Sequence, residues 1–148
     1  MTKTTEQAQR KRPAQKPSPA KVGVGNFRED PMYPRIVRAV ATILARDKVV
    51  APVEVLLEMG MLTPDRLKDW RFGRLPYLEM GIQGSLSRLS RLLRILRFHA
   101  HDLNLVPSMT AYARWGKGPK QRLRFTKTGD KKLEEAYSRC FLRPGTQS

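Results

Sequence analysis

Acidic residues are scarce in this chain and cysteine is nearly absent. Thirteen Asp and Glu stand against 29 Lys and Arg, leaving a net charge of +16 over 148 residues. Such an imbalance repels itself and favours polyanionic partners: DNA, RNA or an anionic membrane surface. The single cysteine, Cys140, excludes an internal disulfide and fits a reducing compartment. No apolar run approaches the roughly 18 residues that a membrane-spanning helix needs. The first thirty residues also lack the apolar core of a secretory signal. The expectation is a cytoplasmic protein, nucleoid-associated if bacterial.

Histidine is limited to His99 and His101. A spacing of two puts them about 200° apart on a helix, so they cannot jointly hold a metal. No phosphate-binding loop, paired-cysteine or nucleophile-elbow motif is present. Carboxylates are scarce in the basic half, where acid–base chemistry would need them. These absences argue against an enzyme, a metal site or a cofactor.

The length suits one domain, and 40% apolar content supplies a modest core. Residues 1–30 read as a disordered basic arm. The run "RKRPAQKPSPAK" holds five basic residues and three prolines, Arg10, Lys11 and Arg12 among them. Without a hydrophobic cluster it cannot offset its own ordering entropy, and arms of this kind track phosphates. Order is expected from about Pro31 to residue 143, with 144–148 as a flexible tail.

Within that domain, Ile36, Val37, Val40, Ile43 and Leu44 repeat with helical period. Val49–Ala51 form a very short strand, and "PVEVLLEMG" is a short helix opened by Pro52 and closed by Gly60. Thr63-Pro64-Asp65 starts another: a hydroxyl cap, a proline at the first helical position and an acid in the first turn. Beyond the next helix the period falls to two. Residues 109–115 alternate, as do 122–126, around the loop "GKGPKQ", which is a β-hairpin signal. "DKKLEEAYSRCFL" then closes the chain as a helix, with Leu133, Ala136, Tyr137 and a packed Cys140 on one side.

The helix before the hairpin, from about Gly84 to Asp102, carries an arginine at every third position: Arg88, Arg91, Arg94 and Arg97. At about 100° per residue, Leu86, Leu89, Leu92, Leu93, Leu96, Ala100 and Leu103 fall in one arc of about 120°. The arginines tile the other half instead of stacking in a row, and Asp102 is the only acid nearby. Phe98 falls among them, which raises the question of what covers it: a second element such as the hairpin or the arm, or a base or sugar of the partner. From Leu103 to Lys127 there are six bases and no acid. Alternation places Tyr112, Arg114, Arg122 and Arg124 on one hairpin face, with Ala111, Ala113, Trp115, Leu123 and Phe125 on the core face. Lys117 and Lys120 sit on the loop, and Lys127 follows the second strand.

Helix, short strand, helix, helix and basic hairpin, in that order, resembles a winged helix-turn-helix domain. The run "LRFTKTGDKKLEEAY" is similar to the end of the wing in bacterial winged-helix regulators, with Leu123, Thr126 and Gly129 in a Leu-x-x-Thr-x-x-Gly spacing. The segment "DWRFGRLPYLE" and the nineteen-residue arginine helix depart from that pattern. The resemblance implies a mainly α fold with a small β-hairpin, a winged-helix-like single domain. It also implies that the arginine helix enters a groove while the wing meets phosphate.

The expected partner is nucleic acid, double-stranded DNA ahead of RNA, bound in a regulatory or architectural role. Its contacts would be Arg88, Arg91, Arg94, Arg97, Tyr112, Arg114, Lys117, Lys120, Arg122, Arg124 and Lys127, aided by Arg10, Lys11 and Arg12. The alternative is an RNA- or ribosome-associated assembly module docking through the near-neutral 47–79 region and Trp70, Phe72 and Tyr77. A membrane role is set aside because the leucine arc is needed for the core. The sequence leaves the oligomeric state open.

Overall fold

The computed structural model describes residues 22–145. Arg10, Lys11 and Arg12, with the rest of residues 1–21 and 146–148, lie outside that span. Five α-helices and a small antiparallel sheet make up the described chain. Helix α1 covers Tyr33–Leu44, β1 Val49–Val50, α2 Pro52–Glu58 and α3 Pro64–Arg71. Helix α4 covers Leu86–Asp102, β2 Val106–Met109, α5 Lys131–Ser138 and β3 Arg139–Leu142. Short 3₁₀ turns lie at Phe27–Glu29 and Leu78–Gly81.

The local signals explain the helix starts. Thr63 Oγ1 accepts from Arg66 N at 3.2 Å and Ser85 Oγ from Arg88 N at 3.1 Å, each satisfying a backbone donor at a helix start. Asp130 does the same for Leu133 at the head of α5. Pro52 and Pro64 occupy first-turn positions, where no backbone N–H is required.

The end of the chain departs from expectation. "RCFL" continues the helical pattern of α5 on paper, but the helix stops at Ser138, whose hydroxyl donates back to Glu134 O at 2.9 Å. Arg139–Leu142 instead forms the central strand of the sheet, in the order β1-β3-β2. Its register pairs Val50 with Phe141 on one side and Pro107 with Phe141 on the other. The apolar run Cys140–Leu142 is buried on every residue, and the centre of the sheet is where such a run gains most. Pro107, which lacks a donor, is tolerated on β2 because β2 is an edge. Cys140 is therefore a strand residue. Burial raises its thiol pKa, and the thiol points to Ser138 O.

Taking β3 as a partner leaves the predicted hairpin with little ladder. Met109 pairs with Arg139, and the 109–115/122–126 pairing shrinks to one bridge, Ala113 opposite Arg122. Arg114 N donates to Gln121 O and Leu123 N to Tyr112 O, both at 2.8 Å, and these complete the stem.

The core lies where α1, α2 and α4 meet the sheet. Ile36, Ile43, Leu56, Leu92 and Ile95 are fully buried there. A second layer is aromatic and sits beneath the hairpin. Phe125 lies 5.2 Å from Trp70, 5.5 Å from Tyr112 and 5.3 Å from Tyr137, the last pair stacked at 6°. Order also begins earlier than Pro31. Val22 and Phe27 are buried, and the Phe27 ring sits 5.4 Å from Phe98. The last part of the predicted arm thus covers that aromatic.

Candidate nucleic-acid interface

The cationic surface has two parts, α4 and the hairpin. On α4 the buried arc is wider than the leucines alone suggest. Ile95 and His99 are buried beside Leu89, Leu92, Leu93, Leu96 and Ala100, while Leu86 and Leu103 stay exposed at the helix ends. His99 meets the Tyr33 ring of α1 edge-on at 5.7 Å.

The four arginines separate into two kinds. Arg91 is not free: its Nε donates to Asp30 Oδ2 at 3.0 Å, with the two side chains 27% and 10% exposed. Asp30 also accepts from Met32 N at 2.9 Å, so it fastens the N-terminal segment to α4. A second tie, Arg28 to Asp102, joins the same two elements. Arg94 and Arg97 are exposed and Arg88 is half-buried, and none of the three meets an acid among the described residues. Arg94 and Arg97 line an open groove of about 750 Å³ between α4 and α5, with Lys132, Arg139, the acids Asp130 and Glu135, and the apolar Leu93 and Phe141.

On the hairpin, the faces are shifted by one residue from the predicted ones. The bridge sets Ala113 opposite Arg122, which puts Tyr112 beside Leu123 on the inner face. Leu123 and Phe125 are buried, as expected, but Tyr112 packs with them against Trp70 and is no outward contact. Burial is the largest cause raising its phenol pKa above the ordinary value. Ala111, Ala113 and Trp115, expected in the core, are exposed. A single bridge fixes little register, and Tyr112 packs on Trp70 and Phe125 in place of Ala111 and Ala113.

The hairpin cations are held in place without neutralisation. Arg114 Nη1 donates to Lys117 O at 2.9 Å, and Lys120 Nζ to Arg114 O at 3.3 Å. Arg124 Nη2 reaches Lys127 O at 3.3 Å. These are backbone carbonyls, so the positive charge stays unpaired. Lys117, Arg122 and Lys127 are exposed. Gly116 and Gly118, with φ of 100° and 101°, let the loop turn through backbone angles that side chains resist.

Two carboxylates beneath the hairpin hold the scaffold. Glu134 accepts from Phe125 N at 3.2 Å, Thr126 N at 2.8 Å and Thr126 Oγ1 at 2.6 Å. Thr126 Oγ1 in turn accepts from Gly129 N at 2.8 Å. Glu79 accepts from Lys127 N at 3.2 Å and the Tyr137 hydroxyl at 3.1 Å. The spacing Leu123, Thr126, Gly129 is thus a buried anchor, a hydroxyl clamp and a left-handed turn leading into α5.

Residues that the sequence suggested as a protein-docking surface divide in the same way. Trp70 is fully buried and donates its indole N–H to Arg124 O at 2.8 Å, so it cannot meet a partner. Phe72 is half-buried against Trp115, their ring centres 5.7 Å apart. Arg71, missed by sequence reasoning, lays its guanidinium 4.4 Å from the Trp115 ring centre and 5.1 Å from that of Tyr112. Nothing in the residue pattern marks it, because its partners are more than forty positions away.

One buried group makes a pH prediction. His99 Nδ1 has no hydrogen-bond partner among the described residues, and burial lowers the imidazole pKa below 6.5; nearby Asp102 opposes this and Arg28 adds to it. The unfolded chain therefore takes up a proton near pH 6.5 that the folded chain resists, so stability falls as pH drops through that value. The thermal midpoint is expected to decline from pH 7 to pH 5, and His99→Phe should flatten that part of the profile. An unchanged slope in the variant would assign the decline to other groups.

The chain matches no family model, no curated protein and no solved structure, so its residues and geometry carry the functional reading.

Proposed function

We propose that this chain is a nucleic-acid-binding domain of winged-helix character, directed at double-stranded DNA in a regulatory or architectural role. Arg88, Arg94 and Arg97 of α4 and the cations of the hairpin wing, Arg114, Lys117, Lys120, Arg122, Arg124 and Lys127, contact phosphate. One observation carries the reading: from Leu103 to Lys127 six cations occur with no carboxylate, and three are braced by loop carbonyls instead of acids. An ordered cationic surface of this kind repels itself until a polyanion arrives. The strand order β1-β3-β2, with the basic hairpin following β2, agrees with a wing in form.

Alanine variants separate contact from scaffold. Arg94→Ala with Arg97→Ala should weaken duplex binding, read by fluorescence anisotropy, while thermal stability stays within about 0.5 kcal/mol. Arg91→Ala should do the reverse. It strands the mostly buried Asp30 carboxylate and costs about 2 kcal/mol of stability. Equal binding by wild type and the double variant would remove α4 from the interface.

A further inference from the structure

Trp115 is the one aromatic side chain classed as exposed among the described residues, at 42%, and it is not loose. Its backbone N–H donates to Arg71 O at 2.6 Å, fastening the wing to the end of α3. The Arg71 guanidinium lies over the indole, and the Phe72 edge supports it from the side at 79°. Arg74 lies 5.1 Å from the Phe72 ring centre and extends the same layer of rings and guanidiniums. Gly116, next in the chain, adds no side chain to shade the ring. A Cβ there would meet Phe72 at an ordinary 3.4 Å, but at a φ of 100° that L side chains rarely adopt. A rigidly held, partly exposed indole offers an apolar face with little ordering entropy left to lose on binding. Arg71 lies against the ring, Arg114 and Lys120 of the adjoining loop are held by carbonyls, and Arg74 is paired with Asp69 at 3.3 Å; the unpaired cations favour an occupant that brings both an apolar face and negative charge.

We infer that the Trp115 indole, braced by Arg71 and Phe72, is a stacking seat for an unpaired nucleobase, with the wing cations holding the flanking phosphates. Aromatic stacking is tolerant of base identity because every base presents a π-face. In an intact duplex those faces are covered by neighbouring base pairs, so the seat engages a single strand, a gap or an extruded base. It rests on the nucleic-acid reading above and narrows it: the wing distinguishes open from fully paired nucleic acid. Arg71 and Phe72 act here as positioning residues that hold the ring.

The two tryptophans make the seat directly observable, because Trp70 is fully buried and Trp115 is exposed. The full chain is titrated with oligothymidylate of about 20 nucleotides, with an abasic oligomer of equal length and charge, and with blunt duplex DNA. Indole emission should be quenched by oligothymidylate and not by the abasic oligomer. Trp115→Ala should lose about ten-fold in affinity for oligothymidylate and almost none for the other two. Trp115→Phe should recover most of the loss, which a folding defect would not allow. Equal affinity of wild type and Trp115→Ala for oligothymidylate, or equal quenching by the abasic oligomer, overturns the seat. Retained duplex binding in that case leaves the wider reading standing. Failure to bind any of the three removes both.

Discussion

Trp70→Ala is expected to cost about 4 kcal/mol and to lower the thermal midpoint by on the order of 15 °C. Trp70 has no exposed surface and packs its ring 5.2 Å from Phe125 and 5.4 Å from Tyr112. Removing it opens a cavity at the centre of the aromatic layer and leaves the Arg124 carbonyl with one donor fewer. That carbonyl also accepts from Leu78 N at 3.1 Å, so both strands of chain beneath the wing are involved. Trp70→Phe keeps most of the volume and loses the indole N–H, at an expected cost of about 1 kcal/mol. Chemical denaturation measures both. A cost below about 1 kcal/mol for the alanine variant would mean that the wing is not built on this residue.

Glu134→Ala is expected to cost about 3 kcal/mol for a different reason. One carboxylate collects two backbone N–H groups and a hydroxyl at the point where the hairpin turns into α5. Thr126 has no exposed surface, so its N–H would lose its acceptor without gaining water. Glu134→Gln keeps one acceptor oxygen and should fall between the two. Because the clamp fixes where Phe125 and Lys127 emerge, Glu134→Ala should also raise hydrogen exchange at 123–129 more than in α1. Uniform exchange changes across the chain would place Glu134 in general stability instead of wing anchoring.

The helices were legible because each carries its own punctuation. Thr63-Pro64-Asp65 marks the start of α3 with a cap, a proline and an acid within three residues, and the apolar spacing of α1 needs no partner to be seen. The basic character of the hairpin was legible as charge, since no acid interrupts residues 103–127. Four features were not legible, and each depends on contacts distant in sequence. "RCFL" reads as helix until β1 and β2 offer it the centre of a sheet. The hairpin faces slipped by one residue because a single bridge fixes little register, and the choice fell to Tyr112 packing on Trp70. Arg91 looked free because its partner, Asp30, lies 61 positions away. Phe27 is the one aromatic in residues 1–32, and only Phe98, set among the arginines of α4, hints that something apolar must reach it.

That fan is also where structure narrowed the candidate site. Phe98 is half-covered from within by Phe27, and Arg91 is tied to the scaffold, so the remaining cations of α4 are Arg88, Arg94 and Arg97. Of the two parts, the hairpin then carries the larger share of unpaired charge.

The central claim is that these cations meet phosphate, and the salt dependence of binding tests it most directly. Anisotropy with labelled duplex DNA, single strands and duplex RNA, across about 50 to 200 mM salt, gives log K against log salt for each. With six or more phosphates neutralised, the slope is expected to be about −5 or steeper, and Lys117→Ala with Lys120→Ala and Arg122→Ala should make it shallower by about 2 to 3. A flat salt response, or no binding to any of the three at about 50 mM salt, would contradict the account.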